Sequence, residues 1–285
     1  MKIGFLTTFD KEMIEFAKRG GFGSIELLIS PGNPLDPLRE HKDAVKRAKE
    51  YIQHQKIEIS AVGTYDVNCL HPDKTKRTEN VNFIIDLMKI CKTLEVDILA
   101  TYPGRDPEKG IEENIPSFKE VFAPLAKKAE DEGLKIAFEN CPKFHYFPFR
   151  GFNIAYCPQA WDLMFDAVDS ESLGLEYDPS HPASMFADCI EPIYKYGEKI
   201  FHVHAKDTEI VQRNLRINGI FGPGMFRYRI PGFGVIDWKK FVSALREVGY
   251  EGNLDIEGGH DSVFSREGEK RGLLSAQRFL SQFIP

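Results

Sequence analysis

Residues 135–140 read Lys-Ile-Ala-Phe-Glu-Asn, a short apolar run that ends in a carboxylate. Three later stretches repeat this arrangement: Leu-Gly-Leu-Glu-Tyr-Asp at 173–178, Phe-His-Val-His at 201–204 and Asn-Leu-Asp-Ile-Glu at 253–257. Short apolar runs are typical of parallel strands that are buried on both faces. The four stretches therefore predict neighbouring parallel strands, each with an ionisable side chain at its carboxyl end.

Four further runs of the same kind precede them, and segments with apolar residues at helical spacing lie in between. Gly20, Gly133 and Gly249 stand where such helices should end. The predicted strands are Ile3–Thr7, Ser24–Ile29, Glu58–Tyr65, Ile98–Pro103, Lys135–Cys141, Leu173–Asp178, Phe201–Lys206 and Asn253–Glu257.

Eight strand–helix alternations are the number that closes a (β/α)8 TIM barrel, an α/β fold. A doubly wound open sheet is the competing architecture. It is disfavoured because Phe5–Phe9, and not a glycine-rich phosphate-binding turn, follows the first strand. No linker or repeat array divides the chain, so one domain is predicted over residues 1–285.

Composition narrows the function classes. A formal net charge of -6 argues against a general binder of nucleic acid or anionic membranes, which needs basic surface. The five cysteines are scattered and form no C-x-x-C pair, so no disulfide framework or cysteine zinc site is predicted. The start lacks a signal-peptide pattern, and no apolar run approaches the ~20 residues of a membrane span. We expect a cytoplasmic protein.

Two connections are longer than a barrel needs, at about 142–157 and 207–236. Both follow strands, so they belong to the C-terminal face, where barrel enzymes place their active sites. Their aromatic and glycine residues predict pocket walls and a lid.

The chemistry is predicted at the same face. Each of the last four strands carries an ionisable side chain at its last inward-pointing position, and these should converge over the barrel mouth: Glu139, Asp178, His204 and Glu257. Three converging carboxylates repel one another unless a cation lies between them. One imidazole and three carboxylates suit Mn²⁺, Mg²⁺, Fe²⁺, Co²⁺ or Zn²⁺.

Alternation along the strands predicts a second, lower layer. His202, Glu176 and Asp255 each precede a predicted ligand by two residues and so face the same interior. We expect them to support the site from below and not to bind the ion.

The chain contains the motifs Phe-Glu139-Asn, Asp178-Pro-Ser-His181, His-Val-His204-Ala-Lys206-Asp and Asp-Ile-Glu257-Gly, and a Pro-Gly-Phe-Gly turn at 231–234. Together these motifs resemble the sugar phosphate isomerase/epimerase family. That family has a xylose isomerase-like TIM barrel and shares its superfamily with endonuclease IV. The resemblance covers essentially the whole chain. It implies one Mn²⁺- or Co²⁺-type ion, Mn²⁺ above all, in the four-residue site, and His181 beside the substrate.

The resemblance also implies a reaction: isomerisation or epimerisation of a sugar or polyol through a metal-stabilised enediolate. Glu139 and Glu257, on opposite sides of the ion, would remove and return the proton. The chain departs from the ketose 3-epimerases after the seventh strand, where the nearest arginine, Arg229, follows a long connection.

Further substrate contacts are predicted at the mouth. His71 follows the third strand directly, and His145 lies on the loop after the fifth. Lys206 would neutralise an anionic substrate group or pair with Asp207, and the pair is slightly favoured.

One alternative function remains open, and two others are disfavoured. A lyase or dehydratase would expel a leaving group from the same enediolate, with His145 as an acid or base. An endonuclease IV-like nuclease needs extra ligands for a three-metal cluster, and Tyr102 stands where one histidine would be. A non-catalytic sugar-binding protein would not need an intact ligand set. The oligomeric state is left open.

Overall fold

The computed structural model describes residues 1–39, 42–146, 149–264 and 268–284, apart from the side chains of Lys42, His145, Tyr146 and Phe149. Eight parallel strands close into the predicted barrel, and the last pairs with the first. Four further strands form two antiparallel hairpins, β6–β7 and β10–β11. The strands are β1 (Ile3–Thr7), β2 (Ser24–Leu28), β3 (Glu58–Thr64), β4 (Ile98–Thr101), β5 (Lys135–Glu139), β6 (Phe144–Tyr146), β7 (Phe149–Gly151), β8 (Leu173–Tyr177), β9 (Ile200–Ala205), β10 (Asp207–Ile210), β11 (Phe226–Arg229) and β12 (Leu254–Ile256).

The barrel strands end slightly earlier at the mouth than the sequence predicts. β4 ends at Thr101 and not at Pro103, and β8 ends at Tyr177 and not at Asp178. The apolar pattern continues past the last ladder hydrogen bond because the chain stays buried there. Asp178, Lys206 and Glu257 are consequently the first residues beyond their strands, at the rim of the barrel.

The helices form the outer layer. Asp10 caps the first of them by accepting a hydrogen bond from the Glu12 N–H at 2.7 Å. The left-handed residue that ends this helix is Gly21 and not the predicted Gly20, whereas Gly133 adopts that conformation as expected. The helices are α1 (Lys11–Gly20), α2 (Lys42–Gln55), α3 (Lys74–Leu94), α4 (Ile111–Glu132), α5 (Pro158–Ala167), α6 (Ser180–Ser184), α7 (Glu191–Tyr196), α8 (Gln212–Asn218), α9 (Trp238–Glu247) and α10 (Glu269–Leu280), with 3₁₀ turns at Pro37–Arg39 and Gly197–Lys199.

The helix layer orients the barrel side chains. Phe138 on β5 packs edge-on against Phe118 and Phe122 of α4, with ring centroids 5.7 and 5.0 Å away. Because neighbouring side chains on a strand point to opposite faces, anchoring Phe138 outward turns Glu139 into the barrel.

The lower barrel interior is polar. At Gly4 on β1, a Cβ atom would lie 1.9 Å from Asp255 Oδ1 and 2.2 Å from Ser24 Oγ. A glycine is therefore needed here, because any side chain would displace Asp255, which lies inside the barrel in the layer below the mouth.

Both hairpins lie in the long connections at the C-terminal face. β6–β7 follows β5, and β10–β11 follows β9. Among the helices that the structure describes, none combines the length and the apolar character needed to cross a bilayer.

Candidate metal centre

The four predicted ligands meet at the barrel mouth. One ligand atom each from Glu139, Asp178, His204 and Glu257 lies within 4.8 Å of the others, and all four residues are buried. His204 Nδ1 is 3.3 Å from Glu139 Oε1 and 3.6 Å from Glu257 Oε2. We call these four residues the quartet.

Asp178 is held so that its Oδ2 faces the other ligands. Its Oδ1 accepts the Ser180 N–H at 2.8 Å, and its backbone is clamped by two hydrogen bonds with the Asn140 side chain. Its buried Oδ2 accepts no well-aligned hydrogen bond within the described residues. An oriented oxygen of this kind, with two more carboxylates and an imidazole nitrogen, fits a divalent cation.

Lys206 lies among the quartet. Its Nζ is 2.8 Å from Asp178 Oδ2, in contact with Glu257 Oε2 and 4.0 Å from Glu139 Oε1. Burial acts to lower the pKa of this ammonium, but Asp178 and Glu257 outweigh burial and raise it well above its usual range. For Glu257, burial acts in the other direction and raises the pKa, yet Lys206 holds the pKa of this carboxyl below its usual value.

The favoured pairing of Lys206 with Asp207 is wrong. Asp207 instead accepts hydrogen bonds from the Trp238 indole N–H at 2.9 Å and from the backbone N–H of Gly232 at 3.1 Å. Consecutive side chains of an extended segment point to opposite sides, so Lys206 enters the barrel while Asp207 turns away from it.

His181 is the next neighbour of the quartet. Its Nε2 lies 3.2 Å from both Glu139 Oε1 and Asp178 Oδ2, and its Nδ1 lies 2.9 Å from the Tyr228 hydroxyl. Burial acts to raise the pKa of Glu139, but hydrogen bonds from His181 and His204 prevail and hold it well below its usual range.

The lower layer is a closed hydrogen-bond network. His202 Nδ1 lies 2.8 Å from Glu176 Oε1, and its Nε2 lies 2.8 Å from Asp255 Oδ2. Burial disfavours a charged His202, but hydrogen bonds to Asp255 and Glu176 outweigh it and raise its pKa to about 10. Burial, with the charge of Glu26, raises the pKa of Glu176 to about 7.

Sequence reasoning missed three residues around this centre. Glu26 Oε2 lies 2.6 Å from His204 Nε2, and the Tyr65 hydroxyl contacts both Glu26 and Glu176. Tyr228, on β11, covers His181. A charged Glu26 inside the apolar run Ser-Ile-Glu-Leu-Leu was a usable signal. Nothing comparable marked Tyr228.

Two of the other predicted contacts, Arg229 and His71, have their partners outside the quartet. The Arg229 guanidinium is bound by Glu209 and by Asp261, the latter at 3.1 Å, so its charge is already paired. His71 lines a separate cleft of about 490 Å³ with Asp66 and Lys143. The side chain of His145 lies outside the described part of the chain.

Comparison with known proteins gives a family match. Residues 14–283 match the model of a family described as xylose isomerase-like TIM barrel. An uncharacterized protein of Methanocaldococcus jannaschii is 26% identical over 232 residues, which cover 78% of this chain and 72% of that protein. An inosose isomerase of Bacillus velezensis is 26% identical over 249 residues, which cover 87% of this chain and 82% of that protein.

Solved structures share the fold. An IOLI protein with a bound zinc atom superimposes with a TM-score of 0.78 at 23% identity, over 100% of this chain and 99% of that one. A D-tagatose 3-epimerase-like protein gives a TM-score of 0.76 at 20% identity, over 100% of this chain and 97% of that one.

Proposed function

The chain belongs to the xylose isomerase-like TIM barrel family, an enzyme family, and from this premise we propose that it is a divalent-metal-dependent isomerase or epimerase of a sugar or sugar-like polyol. The observation that carries the proposal is the buried quartet at the C-terminal face of the barrel. Three carboxylates and one imidazole nitrogen that converge in this way form a ligand set that suits a divalent cation. The isomerase name of the Bacillus velezensis relative supports the reaction class.

We propose Mn²⁺ as the working ion, held by Glu139, Asp178, His204 and Glu257. The zinc of the IOLI structure supports a divalent ion at such a site in this fold. When bound, the ion would polarise a substrate carbonyl and stabilise negative charge on its oxygen.

Glu139 and Glu257 are the proposed acid and base. They come from β5 and from the residue after β12, and these strands lie on either side of β9, the strand of His204, in the barrel order. A proton taken by one carboxylate from a hydroxyl-bearing carbon next to a carbonyl gives an enediolate. A different proton, delivered to the opposite face by the other glutamate in its protonated form, inverts that carbon, and exchange with solvent then restores both groups.

His181, Lys206 and Tyr228 are the proposed contacts to substrate oxygens. They lie together, with Lys206 Nζ 3.3 Å from His181 Nε2 and 4.7 Å from the centre of the Tyr228 ring. Because Tyr228 belongs to the β10–β11 hairpin, we propose that the 207–236 connection is a lid and that 142–157 walls the pocket. The five unpaired cysteines favour a reducing compartment such as the cytoplasm.

Hydrogen exchange from solvent tests the reaction. Metal-loaded protein is incubated in D₂O with ketoses, inososes and 3-keto-glycosides, and loss of the C–H signal next to the carbonyl is followed by NMR. We expect exchange with at least one class, and a fall of at least ~100-fold in Glu257→Gln and in Glu139→Gln.

The control is Glu251→Gln, an exposed glutamate in the turn before β12, with metal content measured for every variant. Exchange that persists in metal-loaded Glu257→Gln removes that residue from the acid/base role. Loss of water from the substrate, in place of a new epimer, would assign the dehydratase alternative. No exchange with any class contradicts the proposal.

A further inference from the structure

Lys206 is the ammonium that pairs with carboxylates of the quartet. Within the part of the chain that the structure describes, its ammonium is the only Lys or Arg group within 4.0 Å of Glu139, Asp178 or Glu257. The residue is 2% exposed, so these contacts are not shared with solvent. A buried ammonium held by two carboxylates is a strong local interaction, because the surrounding dielectric is low.

The oxygens that Lys206 contacts are the oxygens that face the quartet. Asp178 Oδ2, the atom without a well-aligned hydrogen bond, lies 2.8 Å from Nζ. Glu257 Oε2, which lies 3.6 Å from His204 Nδ1, is the second contact of the same ammonium. An ion such as Zn²⁺ binds carboxylate oxygens at roughly 2.0–2.2 Å. An ion bound to these two oxygens would therefore lie next to Lys206 Nζ.

A divalent ion and the Lys206 ammonium that share the same carboxylate oxygens would repel each other strongly, because the site is buried. We propose that Lys206 is a built-in counter-cation that competes with the divalent ion for Asp178 and Glu257, so that metal binding moves the ammonium off these oxygens. Before the ion binds, the Lys206 ammonium holds the carboxylates of Asp178 and Glu257 together. Lys206 is therefore a positioning residue, because it keeps these two carboxylates in place for the metal.

Two consequences follow for the isolated protein. Removal of the ammonium takes away the positive charge that contacts Asp178 and Glu257, so the metal-free protein loses stability. The same removal frees the oxygens, so the metal-loaded protein gains affinity for the ion. A lysine that served only as a structural partner elsewhere would produce the first effect without the second.

The test compares Lys206→Met with Lys143→Met. Lys143 is a matched control, because its ammonium lies at the same face over the Tyr102 ring at 4.6 Å and contacts the Tyr65 carbonyl, not the quartet. Chelator-stripped proteins are titrated with Mn²⁺ and with Zn²⁺ by calorimetry, and thermal unfolding is recorded with and without each ion.

We expect Lys206→Met to bind both ions at least about fivefold more tightly than the wild type, the range of a direct coupling. Its metal-free Tm falls, and its rise in Tm on metal addition exceeds that of the wild type. Lys143→Met changes the Kd by less than about threefold, because its charge acts only at a distance.

Equal or weaker metal binding by Lys206→Met overturns the proposal, as does a wild type that binds neither ion. If metal-free Lys206→Met does not fold, the variant is purified with Mn²⁺ and challenged with excess chelator, together with Lys206→Gln. Slower metal loss than in the wild type supports competition, and equal or faster loss overturns it. These readouts do not depend on which reaction the enzyme performs.

Discussion

His204 connects the two layers of the barrel interior. Its Nδ1 faces Glu139 and Glu257 of the quartet, and its Nε2 lies 2.6 Å from Glu26 Oε2. A carboxylate behind a ligating imidazole fixes the ring orientation and makes the opposite nitrogen a better ligand. Glu26, on β2 across the barrel, is thus proposed to prepare His204 for the ion.

Glu26→Gln tests this arrangement. The substitution keeps the size of the side chain but removes the negative charge behind His204. We expect metal affinity to fall by about 10-fold or more while the protein stays folded, as for other partners of metal-bound histidines. Calorimetric titration with Zn²⁺ measures the Kd, and circular dichroism checks the fold. An unchanged Kd would show that Glu26 does not support the ligand.

At the scale of elements, the β10–β11 hairpin is attached to the segment after β12 by an ion pair and a hydrogen bond. Arg229 reaches Asp261 in the segment after β12, and Asp261 Oδ2 also accepts the Ile230 N–H at 2.9 Å. Asp261 is fully buried and Arg229 is 7% exposed. The predicted substrate arginine is therefore placed to anchor the strand that carries Tyr228.

Arg229→Gln is expected to destabilise the protein by about 3 kcal/mol, because it leaves a buried carboxylate without its partner. Arg227→Gln is the matched control: it loses a pair with the same Glu209, but at an exposed position, and should cost less than about 1 kcal/mol. Urea unfolding measures both. Equal, small losses would mean that Arg229 does not anchor the hairpin.

At the scale of the whole molecule, the centre joins distant parts of one barrel. The quartet comes from β5, β9 and the residues after β8 and β12, and Glu26 adds β2. A ligand that binds only the folded chain stabilises every part that unfolds with it. Metal binding should therefore stabilise the barrel as a unit and not only its mouth.

Removing the metal ion and adding it back tests this prediction, because the change in stability of the whole barrel is measured by thermal unfolding. At an ion concentration of 100 times Kd, stability should rise by about 2.7 kcal/mol. For a chain of this size we expect a Tm increase of roughly 4–5 °C. Calorimetric scans of chelator-treated protein with and without Mn²⁺, Co²⁺ or Zn²⁺ measure it. No increase with any of the three would contradict a divalent-ion site.

The eight strands and the convergence of Glu139, Asp178, His204 and Glu257 were determined by the sequence alone, because short apolar runs and side-chain alternation are local properties of the chain. The same alternation separates Lys206 from Asp207, although the pairing inferred between them was wrong. Only the tertiary structure decided three contacts: Glu26 with His204, Tyr228 with His181, and Arg229 with Asp261. These contacts join residues far apart in sequence, and they depend on barrel closure and on the path of a hairpin, which no local pattern encodes.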